Sequence, residues 1–219
     1  MDQTVISVHG EARREVPPEQ AVFSVSVSAR DREKTAVVAR LTRRAAEVDQ
    51  ILDRFGTAVE RRETSGVQVY PEFRRRGGEK AASYSGSVTT TVTVTDFEPL
   101  GDLLAQLASG ELTSISGPWW QLRPGSRAGA DVRRDAVTDA LDRARVYAAA
   151  VGSELDRIIE IADPEAGGGG GHPMMRAMAF DAGGAEESAA AFDLHPQEQT
   201  VEARVLLRVA VTEPTVLRG

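Results

Sequence analysis

The chain has three histidines, His9, His172 and His195, whose imidazoles are suited to binding a metal or carrying a proton at neutral pH. The last two lie in a Gly- and Ala-rich stretch that also contains Met174, Met175 and Met178. Imidazole and thioether groups together form a soft ligand set that suits copper. Metal ligands usually lie on ordered elements at fixed spacing, and this stretch has no helical or strand pattern. We therefore expect no metal site and no cofactor.

No motif for catalysis is found in the sequence. A phosphate loop needs Gly-Lys-Ser/Thr and the start of a helix, and neither follows the glycine run at 167–171. Nucleophile-elbow, zinc-protease, kinase and Rossmann motifs are also missing, and the chain has no cysteine. We predict a protein that is not an enzyme and has no catalytic residues. One alternative stays open: a hydrolase or small-molecule-binding protein with an unrecognised site, which a deep pocket with convergent polar groups would favour.

Arginines flank a predicted strand at 64–73 on both sides, at 61–62 and 74–76. Such a patch could hold a nucleic acid or an acidic partner through its positive charge. However, glutamates are interleaved with these arginines, and the whole chain carries a net charge of -7. An acidic protein repels nucleic acids and anionic membrane surfaces. We therefore expect a solvated charged loop and no nucleic-acid partner.

Trp119 and Trp120, the only two tryptophans, are adjacent in a predicted strand at 112–122. Neighbouring strand residues point to opposite faces, so one indole should enter the core and the other cannot follow it. The second indole either packs within the chain or lies in an interface, where tryptophan is enriched. We name both residues as candidate interface residues, and the two explanations for the second indole stay open.

Hydrophobic periodicity predicts the elements that position these residues. Alternating residues predict strands at 4–9, 21–29, 64–73, 84–95, 112–122, 155–162 and 200–212, and helical spacing predicts helices at 38–55, 97–108 and 128–152. Residues 10–18 contain a glycine and two prolines and are interpreted as a turn-rich connection. Hydroxyl residues alternate with valines at 84–95, so one face of this strand is either solvated or paired with another chain.

The helix at 128–152 has two rows of small or apolar residues. One row is formed by Val137, Leu141, Ala144, Ala148 and Val151, and the other by Ala136, Ala140, Ala144 and Ala148. We expect the two rows to form one helical face that is both apolar and small. The alanine row would allow the helix to lie close to the surface beneath it. Gly152 follows where a left-handed stop is favoured.

The order strand, Gly-terminated helix, strand, strand occurs at 21–95 and again at 112–212. This order predicts a single domain, 1–219, made of two pseudo-repeat halves, about 4–95 and 112–212, linked by the short helix at 97–108. The fold class would be α+β, with antiparallel sheet and helices packed on one face. Residues 164–196 include five consecutive glycines and are predicted to be a flexible loop.

The first residues carry an acid where a signal peptide requires positive charge, and no apolar run approaches the roughly 20 residues of a membrane span. We expect a cytoplasmic protein without membrane insertion. If a signal segment has been removed, an exported or periplasmic location is expected instead.

The order of several short motifs resembles the SIMPL-domain family. These motifs are Ile6–Gly10, Pro18–Ala21, Val69–Phe73, the strand at Tyr84, and the Ala-rich helix with Tyr147 and Gly152. The resemblance spans almost the whole chain, although each motif alone is common. Family members include bacterial periplasmic proteins linked to oxidative stress, a ring-forming immunogenic protein, and an animal protein that binds a signalling kinase. The resemblance implies no catalytic residues. It implies a protein that self-assembles or binds a protein partner, with a role in stress.

Overall fold

The computed structural model describes residues 3–73, 82–164 and 192–216. These ranges contain seven strands and three helices. The strands are β1 (Val5–Val16), β2 (Gln20–Asp31), β3 (Val59–Glu72), β4 (Ser83–Val94), β5 (Thr113–Gln121), β6 (Leu155–Ala162) and β7 (Gln199–Val211), and the helices are α1 (Lys34–Arg54), α2 (Leu100–Ala108) and α3 (Ala128–Ala150). The strands form two antiparallel sheets, one of order β1-β7-β6 and one of order β3-β4-β2-β5. The predicted α+β class is confirmed.

The chain divides into two compact units that differ from the two halves predicted from the sequence. Unit 1 contains β1, α3, β6 and β7, and unit 2 contains β2, α1, β3, β4, α2, β5 and residues 192–197. Both units contain strand, helix, strand, strand, with the same strand order: β3-β4-β2 in unit 2 and β6-β7-β1 in unit 1. The first strand of the second motif is therefore β1, while β5 joins β2 in the four-stranded sheet. That the two motifs share an origin, and that 1–219 is a single domain, stay predictions.

In unit 1, α3 buries its alanine row against the three-stranded sheet. The buried side chains of α3 are Val132, Ala136, Ala140, Ala144 and Ala148. Val137 and Leu141 are partly buried at the flank of this row and pack against the same core. The alanines take the central position because of Gly10 of β1, where an added Cβ would be 2.1 Å from the Ala136 carbonyl oxygen. Here the helix lies almost against the strand backbone, and only the smallest side chains fit between them.

Only Pro17 and Pro18 of the turn-rich connection predicted at 10–18 lie between β1 and β2, and the prediction is wrong for residues 10–16. β1 continues through this stretch and pairs with β7 from Val5 opposite Ala210 to Val16 opposite Gln199. Position 10 requires a glycine because α3 lies over it, and not because the chain turns there. The neighbouring charged residues of β1 are exposed. The glycine and the charged residues of this stretch therefore resembled those of a loop. In the structure the glycine makes a packing contact with α3, and the charged residues form the solvated face of a strand.

In unit 2, α1 and α2 lie on one face of the four-stranded sheet. Large side chains fill the space between them, and the fully buried ones include Phe23, Leu52, Leu100, Leu103 and Leu107. Of the loop predicted at 164–196, residues 165–191 lie outside the described residues. Leu194 is described, and it packs against the core of unit 2.

Candidate protein interface

The face of the four-stranded sheet opposite α1 and α2 is formed mainly by serine and threonine. We call it the hydroxyl face. It comprises Ser24, Ser26 and Ser28 on β2, Ser85, Ser87, Thr89, Thr91 and Thr93 on β4, and Ser114 and Ser116 on β5. These residues alternate with core residues such as Phe23 and Val92, so the period of the strands itself turns them away from the helices. The pairing register then brings Ser26 opposite both Thr89 and Ser114.

Some of these hydroxyls are used within the sheet and others are available. The Thr89 hydroxyl donates to the Ser26 Oγ at 3.1 Å, and the Ser114 hydroxyl donates to the Ser26 carbonyl at 3.5 Å. Ser24, Ser87, Thr91 and Ser116 make no side-chain hydrogen bond to any other residue in the described part of the chain. Because a hydroxyl both donates and accepts, each of them can bond to a partner of either kind.

The middle of the hydroxyl face carries no charge, and the charges of this face lie at its border on β3 and at one end of the sheet. On the β3 side, the Arg61 guanidinium is 3.3 Å from the Glu63 carboxylate. At the end, Arg30 pairs with Glu72. Protein interfaces share the depletion of charge at the centre and the polar rim, but they are also depleted of serine, which is abundant on this face.

The rim charge at Glu72 is fixed by its neighbours. Its carboxylate accepts hydrogen bonds from the Ser85 hydroxyl at 2.5 Å and the Ser83 hydroxyl at 2.9 Å, and it pairs with Arg30. The two serine hydrogen bonds and, after them, the arginine charge hold the pKa of Glu72 below its ordinary value. Glu72 therefore stays ionised throughout the physiological pH range.

The two tryptophans lie on opposite faces of β5. Trp120 is opposite Ala21, and its ring meets that of Phe97 edge to face, with centroids 4.9 Å apart, beside the core of unit 2. Trp119 is opposite Val22, so it lies at the end of the hydroxyl face and is half-buried. This placement agrees with the expectation that one indole enters the core while the other stays outside it. An interface role for either residue stays a prediction.

The histidines and arginines that the sequence offered as candidate groups do not form a site in the described part of the chain. His9 is exposed on β1, and His195 is exposed with its Nε2 3.8 Å from the Asp193 carboxylate. His172, the methionines near it and the arginines at 74–76 lie outside the described residues. Within the described ranges, no group of three or more His, Asp or Glu side chains is positioned to hold a metal ion.

Two clefts in the described ranges have charged side chains in their walls. One, of about 280 Å³, lies where α1 meets the end of α2, and its lining includes Arg44, Glu47 and Ser109. The other, of about 400 Å³, lies at the Arg30–Glu72 pair. The hydroxyls of Ser83 and Ser109 donate to Glu72 and to a backbone carbonyl, and neither is paired with a histidine base. None of the helices in the described ranges has both the length and the apolar run that a membrane crossing requires.

Sequence reasoning recognised the hydroxyl pattern of single strands but not the surface they build together. The signal was present, because β2 and β4 both alternate serine or threonine with apolar residues over most of their length. What was missing was the order of the strands, which decides whose hydroxyls become neighbours.

The described fold defines a class of protein: an antiparallel α+β protein with helices on one face of each sheet and, in unit 2, hydroxyl side chains in the middle of the other face. The chain belongs to the SIMPL family, since the family model, described as a protein of unknown function (DUF541), matches residues 6–209.

Comparison with solved structures gives a match to a crystal structure described as a "putative amidohydrolase/peptidase" from Burkholderia cenocepacia. The sequence identity is 16% and the TM-score 0.32, and the match covers 62% of this chain and 35% of that one. The chain thus spans about a third of the length of that protein, and the likeness is too low to relate the two activities. No curated protein matches this chain.

Proposed function

We propose that this protein acts without catalysis, by binding a second copy of itself or another protein through the hydroxyl face and Trp119. The observation that carries the proposal is the uncharged centre of this face. Charged residues are depleted from the centres of protein interfaces, and the middle of this face has none among its described residues.

The chemistry of the face suits a flat protein surface. Hydroxyls that have no partner in the described sheet, such as those of Ser24 and Thr91, offer hydrogen bonds to backbone or side-chain groups of a partner. Trp119 supplies a large apolar area at one end, and aromatic anchors of this kind contribute strongly to binding. The Arg61–Glu63 and Arg30–Glu72 pairs at the border are arranged to orient a partner rather than to provide most of the affinity.

Substitution of Thr91 by arginine tests the proposal, because it places a charge and a long side chain in the middle of the face. The matched control is Thr42→Arg on the exposed side of α1. Light scattering after size exclusion, at two concentrations, should give a discrete species above the 23.5 kDa monomer for the wild type and for Thr42→Arg. Thr91→Arg should shift toward the monomer.

A wild-type monomer at both concentrations would remove self-assembly and leave binding of a different protein. That form of the proposal predicts that immobilised wild type and Thr42→Arg retain the same protein from the native cell, and that Thr91→Arg does not. Equal retention by all three would contradict the proposal.

We further propose a cytoplasmic place of action and a role in stress. The role in stress is supported by the family resemblance alone, and the cytoplasmic location is the expectation that fractionation tests. Cell fractionation, and survival under peroxide of cells that lack the protein, measure the two separately.

A further inference from the structure

In the described part of unit 1, side chains of α3 cover one edge strand of the three-stranded sheet but not the other. At β1, the Asp139 carboxylate on α3 accepts a hydrogen bond from the backbone N–H of Glu11 at 3.0 Å, and the Arg14 side chain pairs with Asp135 at 2.5 Å. Acids of the helix thus occupy the outer side of this strand. A further strand cannot pair with β1 there without displacing them.

The opposite edge, β6, has no such protection in the described part of the chain. Its described backbone partners all lie on β7, and no side chain from the described ranges bonds to its backbone groups. Unpaired N–H and C=O groups along an edge strand form a template for another strand.

β6 also exposes three isoleucines. Ile158, Ile159 and Ile161 are 48%, 43% and 52% exposed, on a strand of only eight residues. Ile158 and Ile161 lie opposite Val209 and Leu207, so they share the face on which α3 packs, and yet α3 leaves them exposed. Isoleucine favours a pleated, half-buried surface, and an added strand would provide one.

The charged residues of β6 are complementary to those of a second β6 strand that runs in the opposite direction. Arg157 lies opposite Ala210 and Glu160 opposite Arg208, so both occupy the face away from α3. They are three residues apart on one face because the register shifts between Ile158 and Glu160. In an antiparallel pair about a two-fold axis at Ile158, each Arg157 comes beside the Glu160 of the other copy. The two Ile158 side chains then meet at the axis, and each Ile161 lies opposite the Leu155 of the other copy.

We propose that β6 pairs with β6 of a second copy of this chain, antiparallel about a two-fold axis, and joins two three-stranded sheets into one. The occupant is a second copy because the strand is complementary to itself in charge and in apolar side chains. A two-fold interface of this kind is isologous and closes at two copies. The proposal concerns unit 1 and does not depend on the hydroxyl face of unit 2.

Charge reversal tests the pairing. In Arg157→Glu, the introduced glutamate of each copy lies beside the Glu160 of the other copy. In Glu160→Arg, the introduced arginine of each copy lies beside the Arg157 of the other copy. Each variant alone should raise the dimer dissociation constant by about tenfold or more, because like charges are brought together at the interface. Glu160→Arg also loses the 3.1 Å pair with Arg208 within its own chain, so a loss by this variant alone is not specific to the interface.

Mixing the two variants is the decisive measurement. The Arg157→Glu chain and the Glu160→Arg chain are complementary to each other in charge, so equimolar mixing should give a heterodimer in sedimentation velocity. Recovery in the mixture also shows that both variants fold. Two folded variants that stay monomeric when mixed, or that dimerise alone as the wild type does, overturn the proposal.

A single cysteine gives a second readout, since the natural chain has none. Ile159→Cys lies next to the proposed axis and should form a covalent dimer with a short thiol-to-thiol crosslinker, whereas Ser7→Cys on β1 should not. A dimer broken by Thr91→Arg but not by the β6 charge reversals overturns this inference and supports the hydroxyl face. The reverse result supports β6 and overturns self-assembly through the hydroxyl face.

Discussion

Unit 1 and unit 2 share one strand order but bring helix and sheet together in different ways. In unit 1 the alanine row of α3 lies almost against the backbone of β1 at Gly10, while in unit 2 large side chains such as Phe23 and Leu52 separate the helices from the sheet. The same topology therefore supports a close contact between backbones and a wider contact filled by side chains. Adding an atom should therefore destabilise the close contact in unit 1, and removing one should destabilise the side-chain-filled contact in unit 2.

The outer faces of the two sheets differ as well. In unit 1 this face carries charged residues of neighbouring strands in pairs, including Arg208 with Glu160 at 3.1 Å and Arg13 with Glu202 at 3.8 Å. In unit 2 the middle of this face carries uncharged hydroxyls, and its charged pairs lie at the border. Exposed ion pairs suit a surface that faces water and contribute little to stability. This contrast is why we assign the proposed function to the face of unit 2 and the further inference to an edge of unit 1.

The largest expected effect is that of Gly10→Ala. The new methyl group would lie 2.1 Å from the Ala136 carbonyl oxygen, so helix and strand must separate, and we expect a loss of about 3 kcal/mol in the free energy of unfolding. The matched control is Gly66→Ala on β3, where a Cβ meets no atom within 4 Å and stability should stay within about 1 kcal/mol of wild type. Urea unfolding measures both.

Hydrogen exchange locates the damage. Gly10→Ala should reduce amide protection in β1 and α3 before it does so in β2 and β4. Equal urea midpoints for Gly10→Ala and Gly66→Ala would show that the contact between α3 and β1 is not as close as described.

A smaller effect is expected from removing the indoles of β5 one at a time. Trp120→Ala empties the space beside Phe97 and should lower the free energy of unfolding by about 2 kcal/mol, less than for a fully buried tryptophan. Trp119→Ala should cost less stability and should weaken assembly more. Thermal unfolding together with light scattering separates the two effects, and a larger loss of assembly in Trp120→Ala would contradict the assignment of faces.

The smallest expected effect is a pH dependence from Asp139. The N–H of Glu11 and, after it, the Arg143 side chain hold the pKa of Asp139 below its ordinary value. Its contribution is therefore complete above the pKa of the unfolded chain, near 3.8, and is lost as the pH falls through the lower pKa of the folded state. Asp139→Asn should lower the free energy of unfolding by about 1 kcal/mol at pH 7 and make little difference at pH 2.

Asp142→Asn is the matched control for Asp139, since Asp142 lies on the same helix and pairs with the exposed Arg145. Urea unfolding from pH 7 to pH 2 should give parallel curves for this variant and the wild type. The same parallel curves for Asp139→Asn would mean that the acid does not close the edge of β1.

Much of the fold was predictable from the sequence because strand and helix periods are local. The alternation of Ser24, Ser26 and Ser28 with apolar residues identified β2, and the alanine spacing identified α3. The close approach at Gly10 was not predictable, because glycine in a strand and glycine in a turn have the same local appearance. The partner of β1 could not be read either, since β7 lies at the other end of the chain and no local pattern records such a pairing.

The candidate surface was only partly predictable for the same reason. The two tryptophans were identified as lying on opposite faces from strand geometry alone, but which indole enters the core depends on the register of β5 against β2. The three exposed isoleucines of β6 were recognised as strand residues. Their exposure depends on how far α3 reaches across the sheet, which is a property of packing.

The position of β7 in the three-stranded sheet has a consequence for synthesis on the ribosome. β7 is the central strand of unit 1 and is made after every other described strand, while the described strands of unit 2 are complete by Gln121. The sheet of unit 2 can assemble while the chain is still growing. The alanine row of α3, in contrast, has no complete sheet to cover until Val211 has left the exit tunnel, so a nascent chain carries this helix uncovered for some sixty residues after the helix itself has been made.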